Sequence, residues 1–234
     1  GDFRAYFVQH LRPVFQTAFF GFAVNPHVEE AEFHLPRQEQ ADLEVLRRQH
    51  FVEQFARQHE ELTRVQPLGM DGFHHPNRYL ETHTILRDGV EIPLKSIKGA
   101  PETFDVAHLA AKLAAAKVGA VQFPVYDRRI HDVVADALTV DAPILFVEGN
   151  WLLLDEEPWR GLRPLANYAV RIDAPAAFLR DRLIARKVQG GLSEAEASAF
   201  YETSDAPNVL RFAAHAGAAD EIWRMEEDGD FVRG

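Results

Sequence analysis

The chain has 234 residues, 47% of them hydrophobic, which is enough to bury the core of one domain or at most two small ones. Its formal net charge of -11 argues against a nucleic-acid partner, which requires a basic surface. It has no cysteine, so disulfide scaffolds, thiolate zinc sites and thiol catalysis are excluded. No apolar run is long enough to span a membrane, and no signal peptide begins the chain. We therefore expect a soluble, cytoplasmic protein with no membrane partner.

The first 50 residues form an N-terminal extension that is rich in phenylalanine and ends in a polar, helix-prone segment, residues 38–50. We expect the extension to pack its aromatic side chains on the core as a hairpin or short helix; the alternative is a binding role. A helical period follows in residues 51–62, and the domain is expected to run from 51 to 234. The chain begins with Gly1 rather than Met, which indicates that its start was processed, cut from a tag or lost.

Regular elements alternate through the rest of the chain. Residues 65–70, 121–126 and 142–147 are predicted strands, and apolar runs that alternate with helices are typical of a parallel sheet buried on both faces. Asp105 is predicted to cap an alanine-rich helix that runs to Lys117.

Two further signals concern helix ends. Ser193 and Glu196 form a capping box for a helix that continues to about Tyr201. Glu102 is most simply a charge in the first turn of a helix.

Asp71 stands at the carboxyl end of the first predicted strand, followed by Gly72 and Phe73. Carboxylates in that position of an open parallel sheet point into the crevice where ligands bind. Asp71 is therefore a candidate base that accepts the proton of a substrate hydroxyl as it attacks a phosphoryl group. The alternative is an Asx turn or a helix cap.

The segments downstream resemble the phosphoribulokinase, uridine kinase and type I pantothenate kinase family of P-loop enzymes. The matching segments occur in the family's order over residues 65–212, and they are Asp71-Gly72-Phe73-His74 with Pro76-Asn77, Lys98 to Asp105, Pro124-x-Tyr126-Asp127, Val147-Glu148-Gly149-Asn150, and the basic run Arg182 to Lys187. The resemblance implies an α/β three-layer fold of the P-loop kinase type, with a parallel sheet and helices on both faces. It also implies ATP and Mg²⁺ as cofactors.

The resemblance assigns roles to individual residues at the acceptor side. Asp71 matches the family's acceptor-activating aspartate, and Glu148 is expected to assist magnesium through a water or to make a hydrogen bond. The expected substrate-binding residues are His74, Asn77, Lys98, Tyr126 and His131. Without the resemblance, Tyr126 would be a core aromatic residue, His131 a surface histidine and Lys98 an exposed lysine.

The basic run matches the family's lid, near residues 180–192. Arg182, Arg186 and Lys187 are expected to close over the phosphates, with Gly190-Gly191 as a hinge. The alternative is a solvated helix whose charges pair with neighbours such as Asp181. Asp205 and Asn208 resemble a segment near the nucleotide, although Asp-x-Pro-Asn is also an ordinary turn sequence.

One part of the family pattern is missing. The chain contains no Gly-x-x-x-x-Gly-Lys-Ser/Thr loop, and the gap, with the central strand that precedes it, falls near residues 50 and 51. Residues 16–24 are the apolar run that could replace that strand. The leading hypothesis is ATP-dependent phosphorylation of a small hydroxylated metabolite such as a nucleoside, a sugar or a pantothenate-like compound. The alternative is a catalytically silent binding or regulatory protein that retains the acceptor pocket.

Overall fold

The structure, a computed structural model, describes residues 65–142, 144–225 and 231–233. The predictions for the N-terminal extension, for the helices at 38–50 and 51–62, and for the run at 16–24 lie outside the described residues. Within them the chain divides into two compact units, which we call the core unit and the helical unit. The core unit comprises residues 65–167 and 207–217; the helical unit comprises residues 168–206 and the described residues from 218 onward.

The core unit contains a parallel pair of strands. Strand β1 (Val65–Gly69) pairs with a later strand, Ile144–Glu148, in a register that sets Val65 opposite Ile144 and Gly69 opposite Glu148. Both strands were predicted, the second within two residues of its observed start. Together with the helices described below, this pairing confirms the α/β class.

A short hairpin and one helix occupy the chain after β1. A 3-10 turn (Met70–Phe73) leads to α1 (Asn77–Leu80), and β2 (Thr84–Arg87) pairs antiparallel with β3 (Val90–Pro93). Two further 3-10 turns follow, Leu94–Ile97 and Pro101–Thr103.

Helix α2 (Val106–Ala116) begins where the sequence predicted. The Asp105 carboxylate accepts a hydrogen bond from the backbone N–H of His108 at 2.9 Å, which is the expected N-cap contact. Val106 and Leu109 face inward. The core of this unit contains the following buried side chains: Leu68, Met70, Phe73, Phe104, Val106, Leu109, Phe123, Val140, Trp151, Leu154, Trp159 and Leu162.

The predicted strand at 121–126 has a different partner from the one expected. Strand β4 (Val121–Asp127) pairs antiparallel with β5 (Asp132–Val140), so it belongs to a hairpin and not to the parallel pair. The register shifts between Phe123 and Val125, at Pro124, which has no N–H to donate to the ladder. Strand β5 was not predicted, because most of its side chains are exposed and it lacks a continuous apolar run. After it, β6 is the strand Ile144–Glu148 described above.

The helical unit contains a three-stranded sheet of order β7-β8-β9. Strand β7 (Val170–Asp173) lies parallel to β8 (Glu221–Met225), which pairs antiparallel with β9 (Phe231–Arg233). Helix α3 (Ala176–Gln189) carries the predicted basic run. Helix α4 (Glu194–Phe200) begins with the predicted capping box.

The chain stays helical beyond α4. A π turn (Tyr201–Asp205) connects α4 directly to α5 (Ala206–Ala214). Pro207 lies at the second position of α5, where a residue without a backbone N–H is incompatible with an unbroken α-helical ladder. The sequence Asp205-Ala206-Pro207-Asn208 is therefore helical here and not the turn that it resembles. Across the described residues, we find no helix with the length and apolarity that a membrane crossing requires.

Candidate functional site

Asp71 lies in the 3-10 turn that follows β1 directly. Its side chain is exposed, whereas Gly72 beside it is buried. A Cβ at Gly72 would lie 2.3 Å from the carbonyl oxygen of Pro124, so the turn fits closely against strand β4. The packing therefore fixes the backbone while the carboxylate of Asp71 remains accessible to a ligand.

Glu148 lies at the same edge of the parallel pair. It is the last residue of β6 and stands opposite Gly69, which precedes Asp71 by two residues. A Cβ on Gly69 would lie 2.8 Å from Oε1 of Glu148, so the carboxylate occupies the space above this glycine. The structure thus places both predicted carboxylates at the carboxyl ends of neighbouring parallel strands, where open α/β sheets bind ligands.

Asn77 connects three segments on the acceptor side. Its Oδ1 accepts hydrogen bonds from Nζ of Lys95 at 2.8 Å and Nζ of Lys98 at 2.9 Å. Its Nδ2 donates to the carbonyl oxygen of His131, and its backbone N–H donates to Oδ1 of Asp132, both at 2.9 Å. The first turn of α1, the lysine segment and the tip of the β4–β5 hairpin are therefore held together through one amide side chain.

Lys98 is held in a defined position by this cluster. Its Nζ also donates to the carbonyl oxygen of His131 at 2.8 Å and lies 4.9 Å from the centroid of the Tyr126 ring. Burial lowers the pKa of Lys98, and the neighbouring charge of Lys95 lowers it further. Lys98 is therefore a partly buried, oriented donor and not the exposed lysine that its residue type would favour.

Tyr126 and His74 complete the same side of the site. Their ring centroids are 5.5 Å apart. Nδ1 of His74 lies 3.0 Å from the backbone oxygen of Asp71, so this nitrogen carries the proton and donates it. Burial lowers the pKa of His74, which favours the neutral imidazole, while burial and the charge of Asp71 raise the pKa of Tyr126.

His131 contributes its backbone, and its side chain is exposed. The residue has φ 51°, in the left-handed region, and this turn of the chain directs its carbonyl group at Asn77 and Lys98. The resemblance pointed to this position as part of the acceptor pocket. A pattern of side chains gives no indication that the carbonyl oxygen makes the contact.

The sequence contains no signal for the role of Asp132 or for the partners of Glu102. The carboxylate of Asp132 accepts hydrogen bonds from Asn77 N–H and from Val133 N–H at 2.8 Å, contacts that only the hairpin creates. Glu102 is a first-turn charge of the 3-10 turn Pro101–Thr103, as predicted, but it also has partners: its Oε1 lies 3.1 Å from Nη2 of Arg87 and 2.7 Å from Nη1 of Arg211. Neither partner is near Glu102 in sequence.

The predicted lid residues lie on α3 in the helical unit. Arg182 contacts Sδ of Met225 at 3.2 Å and lies 5.1 Å from the Phe178 ring, and burial lowers its pKa. Arg186 is exposed. After the helix, Gly191 has φ 109°, a conformation that favours glycine and suits the expected hinge.

Lys187 is paired within the helical unit. Its Nζ lies 3.3 Å from Oδ2 of Asp205 and 3.6 Å from the centroid of the Phe200 ring. Burial lowers the pKa of Lys187 and raises the pKa of Asp205, so desolvation works against the charge on both partners. Lys187 therefore already has an anionic partner within the helical unit. Asn208 lies in α5, beyond the π turn.

The residues described fit the chemistry of a magnesium site in part. Magnesium is commonly bound by one or two carboxylates together with water and substrate phosphates, and Glu148 beside Asp71 provides such groups. Within the described ranges, no cluster of three or more His, Asp or Glu side chains has a metal-binding arrangement. For the nucleotide, the 234-residue sequence contains no Gly-x-x-x-x-Gly-Lys-Ser/Thr loop, the motif that holds the phosphates in P-loop kinases.

Three relatives show what the chain is similar to. It is 46% identical to the uncharacterized protein YggC of Escherichia coli, over 77% of this chain and 73% of YggC. It is 30% identical to the ATP-dependent kinase YFH7 of Lachancea thermotolerans, over 65% of this chain and 54% of that protein. It is 35% identical to a pantothenate kinase of Rhodopseudomonas palustris, over 50% of this chain and 37% of that protein. The chain thus covers only 54% and 37% of the lengths of these two kinases. No protein-family model matches it.

Solved structures agree with these relatives. A protein from Silicibacter sp. TM1040, provisionally named a fructose transport system kinase, superposes with a TM-score of 0.62 and 32% identity, over 68% of this chain and 74% of that one. YFH7 of Saccharomyces cerevisiae, described as a P-loop kinase with a circular permutation, superposes with a TM-score of 0.55 over 68% of this chain and 57% of that one. At 23% identity the second match concerns the fold alone.

Proposed function

Because this chain belongs to the phosphoribulokinase, uridine kinase and type I pantothenate kinase family of P-loop kinases, we propose that its acceptor site binds a small hydroxylated metabolite for phosphorylation. Its kinase relatives support a phosphotransferase in general. The names of the pantothenate kinase and the fructose transport system kinase suggest pantothenate and fructose as first acceptors to test, and the family name adds uridine. We favour a small-molecule partner over a nucleic acid because the net charge is -11.

The observation that carries the proposal is the exposed carboxylate of Asp71 beside an ordered polar cluster. Asp71 accepts the proton of the acceptor hydroxyl, which is the proton-transfer step that a kinase base performs. Nζ of Lys98, held by Asn77 and the carbonyl of His131, orients the acceptor's oxygens. Tyr126 and His74 provide ring surfaces against which the acceptor's carbon skeleton packs.

Two further groups belong to the proposal. Glu148 would hold Mg²⁺ through a water, and the ion supplies charge neutralisation at the transferring phosphoryl group. Arg182, Arg186 and Lys187 would close over the phosphates as the lid, with Asp205 and Asn208 near the nucleotide. Because Lys187 is paired with Asp205, this role requires Lys187 to exchange one anionic partner for another.

The second candidate function is a silent binding or regulatory protein that keeps the acceptor site. The absence of a Gly-x-x-x-x-Gly-Lys-Ser/Thr loop from the sequence favours it. The two candidate functions are distinguished by comparing the intact mass of the protein with the mass that its gene encodes. A gene product with the loop supports the kinase, and a gene that encodes these 234 residues as they stand supports the silent form.

The acceptor site can be tested without ATP. We expect calorimetric titration with pantothenate, uridine and fructose to detect binding of at least one, with a dissociation constant of about 1 μM to 1 mM, as is usual for metabolite sites. Lys98→Met should weaken that binding, whereas Lys117→Met, at an exposed position after α2, should not. Failure of all three compounds to bind, or equal binding by the Lys98→Met variant, would refute the proposed site.

A further inference from the structure

Arg211 joins three segments of the core unit. Its Nε and Nη2 donate to the carboxylate of Glu156, the closest contact being 2.6 Å, and its Nη1 donates to Oε1 of Glu102 at 2.7 Å. Nη2 of Arg87 reaches the same Glu102 oxygen at 3.1 Å. One guanidinium group thus binds the loop after β6 on one side and the segment after Lys98 on the other, in the forked geometry that suits arginine.

The ion pairs are partly withdrawn from water. The side chains of Arg211, Glu102 and Glu156 are 28%, 26% and 26% exposed. Burial alone would raise the pKa of Glu102, but the hydrogen bond and charge of Arg211 hold that pKa below its ordinary value. Oε2 of Glu102 is buried and has no hydrogen-bond partner in the part of the chain that the structure describes. The position of Glu102 therefore depends on the two arginines that bind its other oxygen.

Glu102 belongs to the same rigid segment as Lys98. The buried hydroxyl of Thr103 accepts a hydrogen bond from Gly99 N–H at 3.1 Å and closes the turn between them. Nε1 of Trp151 donates to the Gly99 carbonyl at 2.9 Å. Gly99 has φ 105°, a backbone conformation that links Lys98 to this turn. A displacement at Glu102 is consequently transmitted to Lys98 through four residues of tightly bonded backbone.

We infer that Arg211 is a positioning residue, which fixes the orientation of the Lys98 ammonium group by anchoring Glu102. The inference rests on the proposed function in one respect, namely that Lys98 serves the acceptor. Arg211 itself makes its contacts with carboxylates of the protein and acts through them. Neither the motifs of the sequence nor its spacing assigns this residue a role.

The test follows Lys98 directly by competitive acetylation of the full chain over a series of pH values, with peptide mass spectrometry. The chain has only five lysines, and Lys117 provides the reference for reagent reactivity. In wild-type protein the pKa of Lys98 is lowered by burial. In Arg211→Lys and Glu102→Gln we expect it to rise towards the ordinary lysine value, because a loosened segment admits water to the ammonium group.

The control is Asp173→Asn, which breaks the Arg171–Asp173 ion pair of 2.8 Å in the helical unit and should leave the titration of Lys98 unchanged. Glu102→Gln keeps the shape of the side chain and decides the question if Arg211→Lys does not fold. An unchanged Lys98 titration in a folded variant would overturn the inference. A residue with a purely structural role would change the free energy of unfolding but not the titration of Lys98.

A second arm separates this inference from the proposed function. Titration with pantothenate, uridine and fructose should show an affinity loss of up to about 100-fold in the same two variants, the size that a misplaced group can cause. If wild-type protein binds none of the three compounds, the proposed function fails while the acetylation result still stands. If binding is unaffected although Lys98 titrates differently, the link from Lys98 to the acceptor is refuted.

Discussion

Gly69 and Glu148 face each other across the parallel pairing of β1 and β6, and a Cβ on Gly69 would lie 2.8 Å from Oε1 of Glu148. The glycine therefore reserves the space that the carboxylate occupies. The contact concerns the far end of a flexible side chain, and Gly69 has an ordinary φ of -89°. A side chain at this position should move the carboxylate without disturbing the sheet.

We predict that Gly69→Ala changes the free energy of unfolding by less than about 1 kcal/mol, whereas Gly72→Ala destabilises by about 1–3 kcal/mol or more. At Gly72 the new Cβ would meet the backbone oxygen of Pro124 at 2.3 Å, and a backbone atom cannot rotate away. Urea denaturation of both variants measures the difference. Equal destabilisation by the two substitutions would contradict the packing described for the turn that carries Asp71.

We predict that the 234-residue chain does not turn over ATP above background. Loss of one preorganised electrostatic contact costs about 10²–10³-fold in rate, and here the lysine and the Ser/Thr of the loop are both absent. A coupled assay with each candidate acceptor measures the rate. Phosphorylation at an ordinary kinase rate would show that the P-loop mechanism is the wrong one for this protein.

Insertion of a strand with Gly-x-x-x-x-Gly-Lys-Ser between His50 and Phe51 should restore ATP binding. In that repaired chain, Asp71→Asn should lower turnover by about 10²–10⁴-fold, the usual contribution of a general base. The fold should be retained because the side chain of Asp71 is exposed. Circular dichroism provides the control for folding, and turnover that survives the substitution would exclude Asp71 as the base.

Residues 182–191 should become more protected from hydrogen exchange when phosphate or a nucleotide is bound. Arg186 is exposed, so its guanidinium group can bind an anion. The positive φ of Gly191 provides a hinge, so the segment before it can become ordered when the anion binds. Asp205→Asn should enlarge the effect because it releases Lys187 from its carboxylate partner. Equal protection with and without the anion would favour the alternative of a solvated helix.

Unfolding should become easier as the pH falls from 7.5 to 5. Burial lowers the pKa of His74, so below the ordinary value of 6.5 the unfolded chain takes up a proton that the folded chain resists. The contribution of neutral, buried His74 to stability is therefore fully present above pH 6.5. It is lost as the pH falls towards the lowered pKa that His74 has in the folded protein. Urea denaturation at the two pH values measures the difference in the free energy of unfolding between them. His74→Asn should reduce that difference, whereas His131→Asn, at an exposed side chain, should not. If His74→Asn leaves the difference in unfolding free energy between the two pH values unchanged, burial of His74 does not cause the pH dependence.

The elements that sequence reasoning found are those with local signals. The Asp105 cap and the Ser193–Glu196 capping box lie within a few residues of the N–H groups that they satisfy, so a short window contains the information. The parallel strands were found through their apolar runs. Strand β5 gave no such signal. For the same reason β4 was wrongly expected in the parallel sheet, whereas it pairs antiparallel with β5.

The site residues likewise divide into those with a local signal in the sequence and those without one. Asp71 and Glu148 could be located because the end of a buried strand is visible in the sequence. Asp132 and Arg211 could not, because their contacts join residues separated by 55 and 109 positions and depend on the hairpin and on α5. Neither residue belongs to a motif whose spacing would reveal it.

The contact of Lys98 and Asn77 with the carbonyl oxygen of His131 has a consequence for comparing relatives. Every amino acid carries a carbonyl group, so this part of the acceptor site places no demand on the side chain at position 131. The demand is conformational: a φ of 51° is easiest for glycine, asparagine or aspartate. Relatives are thus free to exchange this histidine for such residues and keep the same oxygen in place, and an alignment would record the position as variable although its role persists.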